Sequence, residues 1–62
     1  MPVYFFVDPV SKAKMIADNG TEEVATITWD WAKECFIVRS NTYNGTFSTL
    51  DEAKAFVMSE EA

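Results

Sequence analysis

Bond-making chemistry needs a nucleophile, an acid–base pair or a metal, and this chain has few groups for any of them. Its single cysteine, Cys35, is the one side chain with intrinsic nucleophilicity. A thiol becomes a thiolate only beside a base or in a positive field, and the sequence holds no histidine, with Lys33 and Arg39 the nearest cations along the chain. Cys35 therefore reads as an inert, half-buried thiol at the start of a strand. Three carboxylate pairs stand side by side: Glu22-Glu23, Asp51-Glu52 and Glu60-Glu61. Adjacent side chains on a strand or helix point apart. The first pair lies beside a turn, the second at a helix start and the third in a tail expected to fray, so all three read as solvated surface. Asp18-Asn19-Gly20-Thr21-Glu22 is too short for a calcium loop, and the Cys and His spacing of a zinc site is missing. Gly20 and Gly45, the two glycines, each follow an asparagine and make no phosphate-cradling loop. Both Asn-Gly-Thr triplets fit the glycosylation sequon but read better as turns. The expectation is a non-catalytic domain with no cofactor and no metal.

What the chain does carry is rings: two Trp, two Tyr and five Phe, 15% of its residues. Most of these must serve packing, because aromatic area is the largest contribution a small core can recruit. Trp31 is the exception. It lies beyond an expected Trp29–Phe36 pair, at the edge of a loop the core need not reach, and Trp and Tyr are enriched at binding hot spots. The candidate binding residues are Trp31, Phe5, Tyr43 and Trp29, with Trp31 joined by Phe5 or Tyr43 in a protein interface.

The elements that must hold these rings follow from periodicity. Val3 to Val7 is a short apolar run with aromatic and β-branched residues, which predicts a strand apolar on both faces. Such a strand is central and covered twice, or one face awaits a partner. Residues 8–13 then allow two readings. Asp8 and Pro9 can open a hairpin turn onto 14–18, or cap a helix over about 9–18 that Asn19-Gly20 would stop. The helix would own a weak apolar stripe of Val10, Ala13 and Ile16, so the hairpin is preferred. From Val24 to Trp31 strict alternation predicts a strand with Ala25, Ile27, Trp29 and Trp31 on one face. Cys35 to Arg39 continues it, and the Asp30–Cys35 loop length places Trp29 opposite Phe36 and Ile27 opposite Val38. The stretch Thr28 to Val38 resembles the last hairpin of the immunoglobulin-binding domain of protein G; the resemblance is to a loop type and implies no function. Asn44-Gly45 suits a two-residue turn, with a brief return through Thr46 and Phe47. Thr49-Leu50-Asp51-Glu52 is a capping box opening a helix whose Leu50, Ala53, Phe56 and Val57 share one side. The fold class is thus α+β: a single domain over residues 1–62, an antiparallel β-meander of about four strands with one C-terminal helix packed on one face.

Size and charge bound the function. A 62-residue chain buries only about 60% of its unfolded surface, and with one cysteine it has no intrachain disulfide to compensate. Self-association into a homodimer, or dense aromatic packing, is what remains. Residues 1–7 meet Asp8 too soon for a signal sequence and lack its basic start, and no apolar run approaches a membrane span, so a cytoplasmic home is expected. Ten acidic against five basic side chains give a net charge of −5, a poor basis for gripping phosphates. The leading expectation is a small acidic protein-binding module that regulates or inhibits a larger host or viral protein machine; inhibitors carried by phages are often of this size and charge. A narrower version is mimicry of nucleic acid, if Asp8, Asp18, Glu22, Glu23, Asp30 and Glu34 cluster on one side. The alternatives are an accessory subunit of a complex, or a single-stranded nucleic-acid binder stacking bases on sheet aromatics, which requires Lys12, Lys14, Lys33 and Arg39 to gather beside exposed rings. A four-strand meander followed by a helix is similar in topology to Whirly and PUR-repeat single-strand binders, though those surround their platforms with basic charge.

Overall fold

The first three turns of this chain are each closed by side chains at their own start, and a meander follows. The computed structural model describes residues 2–11 and 13–62. Its elements are β1 (Tyr4–Val7), β2 (Lys14–Asp18), β3 (Glu23–Asp30), β4 (Cys35–Arg39), β5 (Asn44–Phe47) and α1 (Leu50–Glu60). The sheet is antiparallel throughout, in the order β1-β2-β3-β4-β5. The α+β meander with one C-terminal helix is as the periodicity predicts, with a fifth strand where about four were expected.

Residues 8–13 take the hairpin. The Asp8 Oδ1 accepts the Val10 N–H at 2.8 Å, and the Asp8 N–H donates to the Lys14 carbonyl at 2.9 Å, locking the two strands in register. At the next turn Asp18 Oδ1 accepts the Gly20 N–H, and Asn19 Oδ1 takes those of Thr21 and Glu22 at 3.0 Å each. Gly20 sits at φ 99°, where its missing Cβ matters. In the third turn Asp30 Oδ1 accepts from Ala32 and Lys33 at 2.9 and 3.1 Å. Glu34 closes it at φ 52°, a left-handed conformation that costs a non-glycine residue about 1 kcal/mol. Across this turn Trp29 faces Phe36 and Ile27 faces Val38, as the loop length predicts.

Three local departures have physical causes. Ala17 pairs with Ala25 but Asp18 with Glu23, so Val24 is the extra residue of a bulge and turns in to pack on the core instead of lying with Thr26 and Thr28. Trp31 leaves the alternation because the Asp30 turn ends the strand before it. The last turn forms at Ser40–Tyr43, where the Ser40 N–H donates to the Tyr43 carbonyl at 2.9 Å, and Asn44-Gly45 lies inside β5 instead of forming a two-residue turn. Gly45 stands opposite Val38 under two rings: a Cβ there would meet Phe47 Cε2 at 3.1 Å and Phe56 Cε2 at 3.6 Å. The glycine is needed for space beneath Phe47, so the turn moves upstream.

The helix opens at the expected Thr49 cap, with Glu52 N–H donating to Thr49 Oγ1 at 3.2 Å, and Glu52 Oε1 reaches back to accept from the Thr49 and Ser48 hydroxyls at 3.0 Å each rather than from a backbone N–H. Ala53 and Val57 on its inner side are fully buried. They complete a core of six residues with Ala17, Ala25, Ile27 and Val38, and α1 packs mainly on β4 and β5. The other sheet face carries no layer. Replacing Gly45 by Val should drive a branched side chain into the Phe47–Phe56 pair, whose centroids are 5.0 Å apart, and destabilise the fold by about 1–3 kcal/mol. Thermal melting should then drop by at least about 4 °C, whereas Thr46→Val on the open face should leave it unchanged; equal melting temperatures for Gly45→Val and the parent would refute the close approach.

Candidate functional site

The meander gathers two hairpin turns and the helix start at one end of the sheet. The Trp29 N–H donates to the Ala13 carbonyl at 3.1 Å, drawing the β1–β2 turn beside the β3–β4 turn. At that end stand the two most exposed large apolar side chains among the described residues, Val10 at 93% and Trp31 at 78%. Trp31 sets its indole edge-on to Trp29, centroids 5.8 Å apart and planes at 87°, and Trp29 in turn leans on Phe36 at 4.7 Å. Between these rings, Ala13 and Ser48 lies an open hollow of about 450 Å³. It adjoins a second of about 240 Å³, reached past Val7, Met15 and Leu50. The Trp29 indole N–H is buried with no hydrogen-bond acceptor among the described residues. An unpaired buried donor of this kind costs about 1–3 kcal/mol.

Of the four candidate binding residues, the structure brings Trp29 and Trp31 together and places the other two elsewhere. Phe5 lies on the helix side of β1, paired with Ala17, packed against the core and roofed by the Lys54 ammonium at 5.6 Å from its ring centroid. Tyr43 sits beyond the far end of β4, edge-on to Phe56 at 5.6 Å, with its hydroxyl donating to Glu61 Oε2 at 2.7 Å. That bond, with the Glu61 N–H donating to the Val57 carbonyl, holds down the segment expected to fray. Sequence reasoning did not place Ala13 and Ser48 beside Trp31, because their meeting depends on strand pairing across the sheet, which has no local signal. Val10 was legible only as a helix-stripe residue, and the hairpin turns it to solvent instead.

The charges divide by place. Asp8, Asp30 and Glu34 lie at the indole end, while Asp18, Glu22 and Glu23 flank the opposite turn, so the six acids do not share one side. Asp8 is held below its ordinary carboxylate pKa, first by the Val10 N–H, against an opposing effect of burial, with Ser11 and Lys14 adding to the lowering; the Lys14 ammonium is 3.7 Å away. The open sheet face carries Lys14 and Arg39 around one hollow with Thr26, Thr28 and Ile37, and Lys33 joins Arg39 at a second. Tyr4 and Phe6, 55% and 45% exposed, stand on the same face along β1. Lys12 lies outside the described residues. Cys35, half-buried and free, shares this face opposite Asp30. No group of three or more Cys, Asp or Glu among the described residues is placed to hold a metal ion, and no described helix is long and apolar enough to cross a membrane. No family model matches the chain, nor does any curated protein or solved structure.

Burial and the Glu61 carboxylate raise the Tyr43 pKa from 10.0 to about 12, the burial being the larger cause. A raised acid pKa means the neutral phenol is favoured by folding, so its contribution is whole below pH 10 and is lost as pH climbs from about 10 to about 12. Phenolate absorbance of the parent minus that of Tyr43→Phe should therefore rise near pH 12; a difference curve centred near 10 would show that the Tyr43–Glu61 contact does not persist in solution.

Proposed function

We propose that this chain is a small, acidic, non-catalytic protein-binding module, a regulator or inhibitor of a larger protein machine, that engages its partner through the indole end of the sheet. The observation that supports this reading is Trp31: a large ring left 78% exposed yet held at a fixed angle by Trp29, beside an apolar hollow. A ring so held loses little conformational freedom on binding, which is the property that makes Trp a hot-spot residue. The Trp29 N–H sharpens the chemistry expected of the partner. The indole donor is already desolvated in the free chain, so an acceptor that a partner brings to it gains a hydrogen bond with no further desolvation of that donor. The partner surface is thus an apolar side chain carried next to a backbone or side-chain acceptor. Cytoplasmic residence fits a lone free thiol, and self-association into a homodimer fits the doubly apolar β1.

Trp31→Ala should keep the fold and weaken partner binding by about 2 kcal/mol or more, roughly thirtyfold. Affinity capture from the native cell followed by titration measures this, with Met58→Ala, 54% exposed on α1, as the control that should bind like the parent. Undiminished affinity of Trp31→Ala would remove the indole end from the interface.

A second reading is favoured by the open face, where Lys14, Lys33 and Arg39 do gather on the side that bears Tyr4 and Phe6. Single-stranded nucleic acid could lay phosphates on the former and bases on the latter. Three phosphate contacts would give a log–log salt slope of about −2 for single strands. The protein-binding reading expects no oligonucleotide-dependent change in tryptophan fluorescence or anisotropy at any salt, and a saturable, salt-weakened signal would reverse the order of the two.

A further inference from the structure

An edge strand presents a row of unpaired N–H and C=O groups, and proteins ordinarily blunt that row with a charge, a proline or a bulge, or by covering it. Within Tyr4-Phe5-Phe6-Val7, at one edge of this sheet, no such device is found. The bond from the Asp8 N–H to the Lys14 carbonyl, carried back along the register through Phe6–Ile16 and Tyr4–Asp18, assigns the alternation. Tyr4 and Phe6 are the residues hydrogen-bonded to β2, so the N–H and C=O of Phe5 and Val7 point out of the sheet. The opposite edge, β5, is Asn44-Gly45-Thr46-Phe47, whose open-face residues are polar and whose Phe47 is engaged by Phe56.

We propose that β1 pairs antiparallel with β1 of a second copy about a two-fold axis at Phe5, joining two meanders into one continuous sheet. This rests on the self-association reading above and is independent of the indole-end interface. Centred on Phe5, the pairing sets Tyr4 opposite Phe6 and Val3 opposite Val7 of the other copy, so every residue from 3 to 7 meets an apolar partner. The outward groups of Phe5 and Val7 then exchange their hydrogen bonds with those of Phe5 and Val3 across the axis. On the open face the exposed Tyr4 and Phe6 rings of the two copies become cross-strand neighbours. Centring on Phe6 instead keeps the hydrogen-bond alternation but sets each Tyr4 against an Asp8, so the Phe5 register wins on apolar burial. Charge selects the occupant as well. At −5 each, two copies repel at long range, but the 3–7 segment carries no charge and the nearest, Asp8, already faces Lys14 at 3.7 Å. The like charges therefore stay apart where the chains touch, and salt, by screening the rest, strengthens the pairing. A contact one strand wide falls well short of the roughly 800 Å² per partner of a stable interface, so the dimer belongs to the weak, transient class and dissociates in the micromolar range or above.

Sedimentation equilibrium over about 10 µM to about 1 mM brackets that range. The expected mass climbs from 7.0 kDa toward twice that value, at lower concentration as salt rises. N-methylation of the Val7 amide in a synthetic chain removes an outward N–H while sparing the β1–β2 ladder. It should raise the dissociation constant at least about tenfold with unchanged circular dichroism. Phe6→Glu should weaken the dimer too, and mixing it with Tyr4→Lys should restore association, because positions 4 and 6 face each other across the axis. A mass fixed at 7.0 kDa at every concentration overturns both the edge and self-association. A dimer indifferent to Val7 N-methylation overturns the edge alone, and growth beyond a dimer overturns the closed two-fold. Trp31→Ala, which should leave the mass curve unchanged, keeps the failure of the indole-end reading separate.

Discussion

A helix of 11 residues is set against a sheet of five strands. The helix is about 16 Å long and about 10 Å across, whereas strands about 4.8 Å apart make the sheet roughly twice as wide. It therefore seats on β4 and β5, where Ala53 and Val57 are sealed over Val38 and its neighbours, and leaves the rest of its own side partly bare. The six core residues run from the helix across β4 to β3 and β2, and two of the strand residues among them are alanines. Everything the molecule displays is what that helix does not reach: the indole end beyond its first turn, the β1 edge, and the whole opposite face.

Part of the chain's acidity is local. Asp8, Asp18 and Asp30, with the neutral Asn19, each accept backbone N–H groups of the turn they begin, so three of the ten acidic side chains lie where a turn needs an acceptor. This explains why the carboxylates spread over both ends of the sheet, a distribution unlike that of a surface copying a phosphate backbone. It also leaves the middle of the open face to Lys14 and Arg39, with Asp18 and Asp30 at its two ends.

How far the sequence could be read varies with the range of the interaction. The Trp29–Phe36 and Ile27–Val38 pairs, the Thr49–Glu52 cap and the inner stripe of α1 were legible, because each is decided within a turn or a loop of known length. The placement of the last turn was not: Asn-Gly chemistry favours a turn at 44–45, but the space under Phe47 and Phe56 prevails, and that space is created by packing. Alternation likewise put Val24 on the outer face, and a bulge turned it in to the core. The aromatic wealth was legible as a resource, but its division only in part. Trp31 outside the core was legible from its place at the loop edge, but that Phe5 and Tyr43 would go to packing was not, because that depends on where a short helix comes to rest.

Each strand pairs only with its neighbour in the chain, and the helix packs on the two strands just before it. Closing such short loops costs little entropy, and topologies of low contact order are the rapid folders among small proteins. β3, β4, β5 and α1 hold most of the core and need nothing from residues 1–13 to meet one another. The β1–β2 hairpin is the part that can zip on afterwards, with β1 templated by β2 alone. Because β1 precedes every other strand in the chain, an emerging polypeptide shows this sticky segment from early in synthesis until that template is in place.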